Sequence, residues 1–254
     1  MQKMLLLMAL LGMLLAADNH ESTFSYRLGT RPVMVKVAAY GSSKDVVMIS
    51  LHDDETTGVE AAGTVLGKTG GVLISIENNH QRNIVFTQRG KSFRFDPNRM
   101  FSKTGIKATL TEQGKYSTKS AVNAVHGFAH FLLNKVPRHA AVLIAVHNNG
   151  DGGLSVLSYM EGGEFEKDAA EVHKSDDRDP DNFFLTTDGR LYRALRSAGY
   201  NVVLQAKKAA DDGSLSVYYG RKHKRYINIE AETGHAAEQA EMIEKVIALL
   251  RQGA

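Results

Sequence analysis

The chain has 254 residues, 23% of them charged, a formal net charge of +3 and no cysteine. That length suits one α/β domain with a sizeable core, and the scattered basic residues form no stripe that would mark nucleic acid as the main partner. Without cysteine there is no disulfide framework and no thiolate chemistry, so any metal must be held by nitrogen and oxygen ligands.

The chain opens on Lys3, an apolar run from Met4 to Leu15, the small pair Ala16-Ala17 and then Asp18-Asn19. A charged start, a short apolar stretch and a small-residue cleavage site are the layout of a secretory signal. The run is about a dozen residues long, short of the roughly 20 that a bilayer span needs. The expectation is a leader over 1–17, cleaved from a single periplasmic or secreted domain over 18–254 that keeps no stable membrane association. An uncleaved anchor is the alternative.

Thr23 to Leu28 and Val33 to Tyr40 alternate as the strands of an edge hairpin, with Arg31-Pro32 as the break. Val46 to Leu51 is an apolar, β-branched run that reads as a buried central strand, followed by helical spacing from Thr57 to Lys68 and a glycine turn into Val72–Ile76. This β-α-β order implies a parallel pair with a right-handed crossover. A polar loop over 78–83, a short strand over 84–86 and a basic segment from Arg89 to Phe101 come next, then a helix from Ser117 to Val136. Ala140 to Val146 is a second apolar strand, Glu161 to Asp181 an acidic loop or lid, Gly189 to Ser197 a helix and Asn201 to Gln205 a strand. Leu215 to Tyr219 and Tyr226 to Ile229 read as two more strands around the basic run Arg221-Lys222-His223-Lys224-Arg225. That run suits a solvated turn, with an anionic surface as its alternative reading. A terminal helix over Ala236 to Gln252 covers one face. The fold class expected is therefore α/β, a three-layer arrangement with a mixed, mostly parallel sheet flanked by helices.

Three strand ends carry the chemistry. The central strand runs into His52 with Glu55 three residues on, the second apolar strand into His147, and a late strand into Glu230 and Glu232. Ligands of open α/β sheets gather at the carboxyl ends of strands, so His52, Glu55 and His147 can meet there. Two imidazoles and a carboxylate match the three protein ligands of a catalytic zinc, one ion with an open position for water. Glu230 is the candidate to shuttle a proton, with Glu232 as its rival. His126 and His130 are four apart on a helix, but Gly127 stands where H-E-x-x-H has its glutamate, so they read as partly buried helix residues. Asp176, Asp177, Asp179 and Asp181 lack the glycine and glutamate of a calcium loop.

The order His52-Asp53-Asp54-Glu55, then Asp96-Pro97-Asn98-Arg99-Met100-Phe101, then a strand into His147 and a strand into Glu230 resembles the zinc carboxypeptidase superfamily, including its succinylglutamate desuccinylase and aspartoacylase-like branch. The likeness runs from about Val46 to Gly234. It implies zinc on His52, Glu55 and His147, a substrate carboxylate held by Asn98 and Arg99, and Glu230 as catalytic base. It also implies an upstream arginine facing the oxyanion, for which Arg89 is preferred over Arg82 and Arg94. No tyrosine matches the one carboxypeptidases place over the substrate, Tyr218 and Tyr219 being loose candidates. Asn148 after His147 is closer to the aspartoacylase-like step. The function implied is hydrolysis of amide bonds in a peptide, a peptidoglycan stem peptide or an acyl amino acid. The alternatives are a non-catalytic metal- or peptide-binding protein of this fold and an N-acyl amino acid deacylase.

Overall fold

Runs of four to seven residues that are buried on both faces must lie inside a sheet covered by helices on each side. The computed structural model of the protein describes residues 19–254 and places three such runs side by side: β3 (Val47–Ser50), β4 (Gly71–Glu77) and β7 (Leu143–Asn149). The expected leader lies outside the described residues. With β11 (Tyr226–Glu232) these strands form a parallel centre, the register running Val72, Val47, Leu143, Tyr226 across it. The edge hairpin of β1 (His20–Leu28) and β2 (Arg31–Tyr40) pairs antiparallel with β4. Beyond β11 lie β9 (Phe183–Thr186), β10 (Val202–Gln205) and β8 (Ala169–His173), giving nine strands in the order β1-β2-β4-β3-β7-β11-β9-β10-β8. The sheet is mixed, with four parallel and four antiparallel pairings.

Alternate residues of each central strand feed two cores. Met48, Ile144 and Ile227 face α1 (Thr56–Thr69), α4 (Gly189–Ser197) and α6 (Ala236–Arg251). Ile49, Ala145 and Tyr226 face α3 (Lys119–Leu133), α2 (Lys103–Gly114), α5 (Leu215–Arg221) and the small ribbon of β5 (Ile84–Gln88) and β6 (Lys91–Phe95). The three-layer α/β class expected from the sequence is the architecture observed.

Several elements depart from expectation. Leu215–Tyr219 is helical, because Ser214 caps α5 by accepting from the Val217 N–H and the alternation of L-S-V-Y-Y is too short to outweigh that start. The polar segment 89–101 contains β6 and a 3-10 turn, and α2 had no sequence expectation at all. Part of the acidic stretch 161–181 is β8, an antiparallel edge strand on β10. No helix among the described residues is long and apolar enough to cross a membrane.

Candidate metal centre

Because β3, β7 and β11 run the same way, their carboxyl ends share one rim. His52 follows β3, His147 lies within β7, and Glu230 is the register partner of His147 on β11. Glu55 stands at the N-cap of α1, yet its side chain makes no capping bond there and turns toward the histidines. Its Oε1 lies 2.8 Å from His52 Nδ1 and its Oε2 2.7 Å from His147 Nδ1. The three side chains are 1%, 5% and 3% exposed, and one donor atom of each lies within 4.8 Å of the others.

The surrounding groups hold this cluster in place. Asp96 Oδ1 accepts from His52 Nε2 at 2.7 Å and also from the Asn98 N–H, so the D-x-N-R box is built onto the first histidine. Such a carboxylate fixes ring orientation and leaves the other nitrogen facing the ligand. Arg82 Nη1 donates to Glu55 Oε1 at 2.6 Å. The loop that carries Arg82 is tied back by Asp53, whose Oδ2 accepts from the N–H groups of Asn78 and His80. Below the rim, fully buried Gln239 of α6 donates to the carbonyl of His147, and Asn148 bonds Gly58, Gln239 and the Ala231 carbonyl, tying α1, α6, β7 and β11 together.

Burial opposes charge on His52 and Glu55, but here the charges are mutual. Burial lowers the His52 imidazolium, and the Glu55 and Asp96 carboxylates outweigh it and raise the pKa to about 9. Burial likewise raises Glu55, and the His147 and His52 charges take it well below the ordinary carboxylate value. Glu230 moves upward, chiefly through its burial.

Does a metal suit these residues? Two imidazoles and a carboxylate, converged and buried at a strand-end rim, are a donor set that zinc takes. His147 Nδ1 is the ring nitrogen turned to Glu55, and Nε2, across the ring, is buried with no partner among the described residues. The fit to a metal therefore rests on the donor set and its convergence.

Glu230 and Glu232 separate clearly. The Glu230 carboxylate is buried, accepts from Asn228 Nδ2 at 2.9 Å and lines a cavity of about 100 Å³. Glu232, one pleat further, lies 3.5 Å from His235 Nδ1 at the surface. Asn98 and Arg99 line the same cavity as Glu230. Asn98 Oδ1 is engaged by the Leu215 N–H, which leaves its amide nitrogen for a ligand, and Arg99 lies 3.5 Å from Asp212. The 211–214 turn approaches so closely that a Cβ on Gly213, at φ +79°, would lie 2.4 Å from the Arg99 carbonyl oxygen, so only glycine fits.

Arg89 is not part of this assembly. It occupies the tight turn of the β5–β6 ribbon with φ +50° and is exposed, five residues or about 17 Å of strand from Ile84 at the site end of that ribbon. Arg82 takes the position against Glu55, and Arg94 pairs with Val85 on the ribbon. Tyr218 and Tyr219 belong to α5, where Tyr218 packs on Phe101 and Tyr219 is buried against Tyr226. Tyr159, which the sequence did not single out, lines the cavity with Glu230. It sits just ahead of the acidic stretch, against Phe165 and Phe183, and no spacing rule links it to the strand ends.

No protein-family model matches the sequence, and no curated protein matches it. Solved structures similar to this chain include the succinylglutamate desuccinylase/aspartoacylase of Rhodobacter sphaeroides, at 12% identity and a TM-score of 0.47 over 90% of this chain and 64% of that one. They also include an aspartoacylase family protein of Mesorhizobium loti, at 13% identity and a TM-score of 0.45 over 92% of this chain and 67% of that one. A third is murein-tripeptide amidase MpaA of Escherichia coli O157, at 12% identity and a TM-score of 0.41 over 90% of each chain. The chain thus spans 64% of the desuccinylase's length. The likeness to each of these structures is one of fold.

Proposed function

We propose that the protein is an exported, zinc-dependent hydrolase of amide bonds whose substrate presents a carboxylate. The observation that carries this reading is the convergence of His52, Glu55 and His147 at one rim with the buried Glu230 carboxylate beside them. His52, Glu55 and His147 would hold the ion. The chemistry zinc supplies when bound is Lewis acidity, which acidifies water and polarises a carbonyl.

The chain's own groups do the rest. Glu230, its pKa raised by burial, accepts the proton of the attacking water and delivers it to the leaving nitrogen. Arg82, adjacent to Glu55 and about half exposed, offers its guanidinium to the oxygen that becomes negative. Arg99 and the free amide of Asn98 take the substrate carboxylate, a role suited to the guanidinium fork. Asp96 keeps the His52 ring oriented.

A cavity of about 100 Å³ beside Glu230 and Arg99 is small for an extended peptide. This favours a terminal residue or an N-acyl amino acid as the part bound there, and it is the observation behind a second reading as a deacylase. The two readings are separated by screening stem peptides and acyl amino acids by mass spectrometry on zinc-loaded protein. Turnover of neither class, with zinc bound, would overturn the hydrolase.

Two outcomes follow for the arginines. Arg99→Ala is expected to raise KM about tenfold or more for substrates with a free carboxylate and to spare amidated ones; equal effects on both would remove the anchor role. Arg82→Ala is expected to lower kcat by about a hundredfold, roughly 3 kcal/mol of barrier, while Arg89→Ala leaves kcat unchanged. Steady-state kinetics of the two variants side by side decides between them, and the reverse ranking would restore Arg89.

A further inference from the structure

At the amino ends of the central strands, away from the metal centre, the molecule carries a basic face. The sequence run 221–225 closes α5 and enters β11, so it is a helix end rather than a turn between strands. Two cavities border it, of about 390 and 290 Å³, and both are lined by His223, Lys224 and Arg225. Arg138 completes the rim of the larger, and Arg190 and Lys207 that of the smaller.

The charge balance on this face is uneven. Arg225 is bound by Asp188 and by the Ala254 carbonyl, and Arg221 by Asp211 at 2.9 Å. Among the described residues no ion pair involves Arg138, Arg190, Lys207, Lys222 or Lys224, and all five are exposed. Lys222 and Lys224 lie over the Tyr218 and Tyr219 rings, and the clustered cations give this face a positive potential that attracts anions. The larger cavity also has an apolar wall of Leu133, Val136, Ala140 and Leu143 under its cationic rim. A nucleic acid backbone has no use for that wall, whereas a phospholipid presents both an anionic head and acyl carbons.

We propose that this end of the molecule docks on an anionic phospholipid surface, with Arg138, Lys222 and Lys224 against headgroups and the Val136 cleft against acyl carbons, the metal centre facing away. The test uses the full chain with vesicles of phosphatidylcholine, with and without about one-third phosphatidylglycerol, in co-sedimentation; the neutral vesicles measure whatever the apolar leader contributes alone.

Binding is expected to be much tighter to the anionic vesicles and to fall with salt. It should drop about fivefold per charge removed, by roughly a hundredfold in Arg138→Ala/Lys222→Ala/Lys224→Ala. Arg190→Ala/Lys207→Ala is a second variant should the first melt early. The sequence has no tryptophan, so Val136→Trp gives a single reporter whose emission should shift to the blue on anionic vesicles only. Equal binding to both vesicle types overturns the proposal. So does displacement by millimolar inorganic phosphate, which would mark a free-phosphate site, or tighter binding to duplex DNA than to anionic vesicles, which would mark a nucleic acid partner.

Discussion

Glu230→Gln is expected to retain zinc at one equivalent and to lose activity by about a thousandfold in kcat, which is ~4 kcal/mol of barrier and within the range for removal of a general acid–base group. The reason lies in placement. Glu230 is level with His147 on the neighbouring parallel strand, so its carboxylate stands at the edge of the donor set without belonging to it. Glutamine keeps the volume and can still pair with Asn228, so the fold and the ligand triad stay intact while the proton acceptor is gone. Glu232→Gln serves as the internal control, because that carboxylate lies at the surface beside His235, and its kcat is expected to stay within about twofold. Activity assays with metal analysis on both variants check this. Near-normal turnover in Glu230→Gln would remove it as the base, and loss only in Glu232→Gln would reassign the role.

His147→Ala is expected to retain less than a tenth of an equivalent of zinc after dialysis. Three ligands are the minimum of a catalytic zinc site, and His147 is the only one of the three from β7. Its removal also leaves Glu55 Oε2 without the 2.7 Å contact that it has in the native chain. A buried carboxylate that loses a partner is costly, so thermal stability should fall as well, although Arg82 and His52 still hold Oε1. By contrast Asn148→Ala, which cuts bonds to Gly58, Gln239 and Ala231 beneath the rim, should lower stability while leaving zinc stoichiometry near one. Elemental analysis and melting curves on the pair separate a ligand from a buttress. Stoichiometric zinc in His147→Ala would contradict the ligand assignment.

The site was more legible in the sequence than its surroundings. His52, Glu55, His147 and Glu230 each follow or end an apolar run, and the period and length of such runs are set by burial inside a sheet, a signal that a single chain carries. Parallel neighbours then force their carboxyl ends together, so the sequence alone implies one shared rim for four residues remote along the chain. The choice between Glu230 and Glu232 was not legible, since two residues one pleat apart point the same way and only register and the loop at His235 distinguish them.

Among Arg82, Arg89 and Arg94, spacing alone does not tell which stands beside Glu55, for a similar reason. The β5–β6 ribbon turns at Arg89-Gly90 and sends that arginine to the far tip, and the antiparallel return of β6 was unseen because 89–101 reads as uniformly polar and basic. α5 was mistaken for a strand because seven residues span only two helical turns, in which alternation and helical spacing look alike. Tyr159, Asp212 and Gln239 contribute through contacts between distant segments, and no local pattern announces such contacts.

The central claim is that three side chains bind one ion. Isothermal titration of zinc into metal-stripped protein measures it most directly, run on the native chain beside His52→Ala, Glu55→Ala and His147→Ala. The account predicts one tight site per native chain and loss of that site in each of the three variants. Tight, stoichiometric zinc in any of them, or none in the native chain, would contradict it.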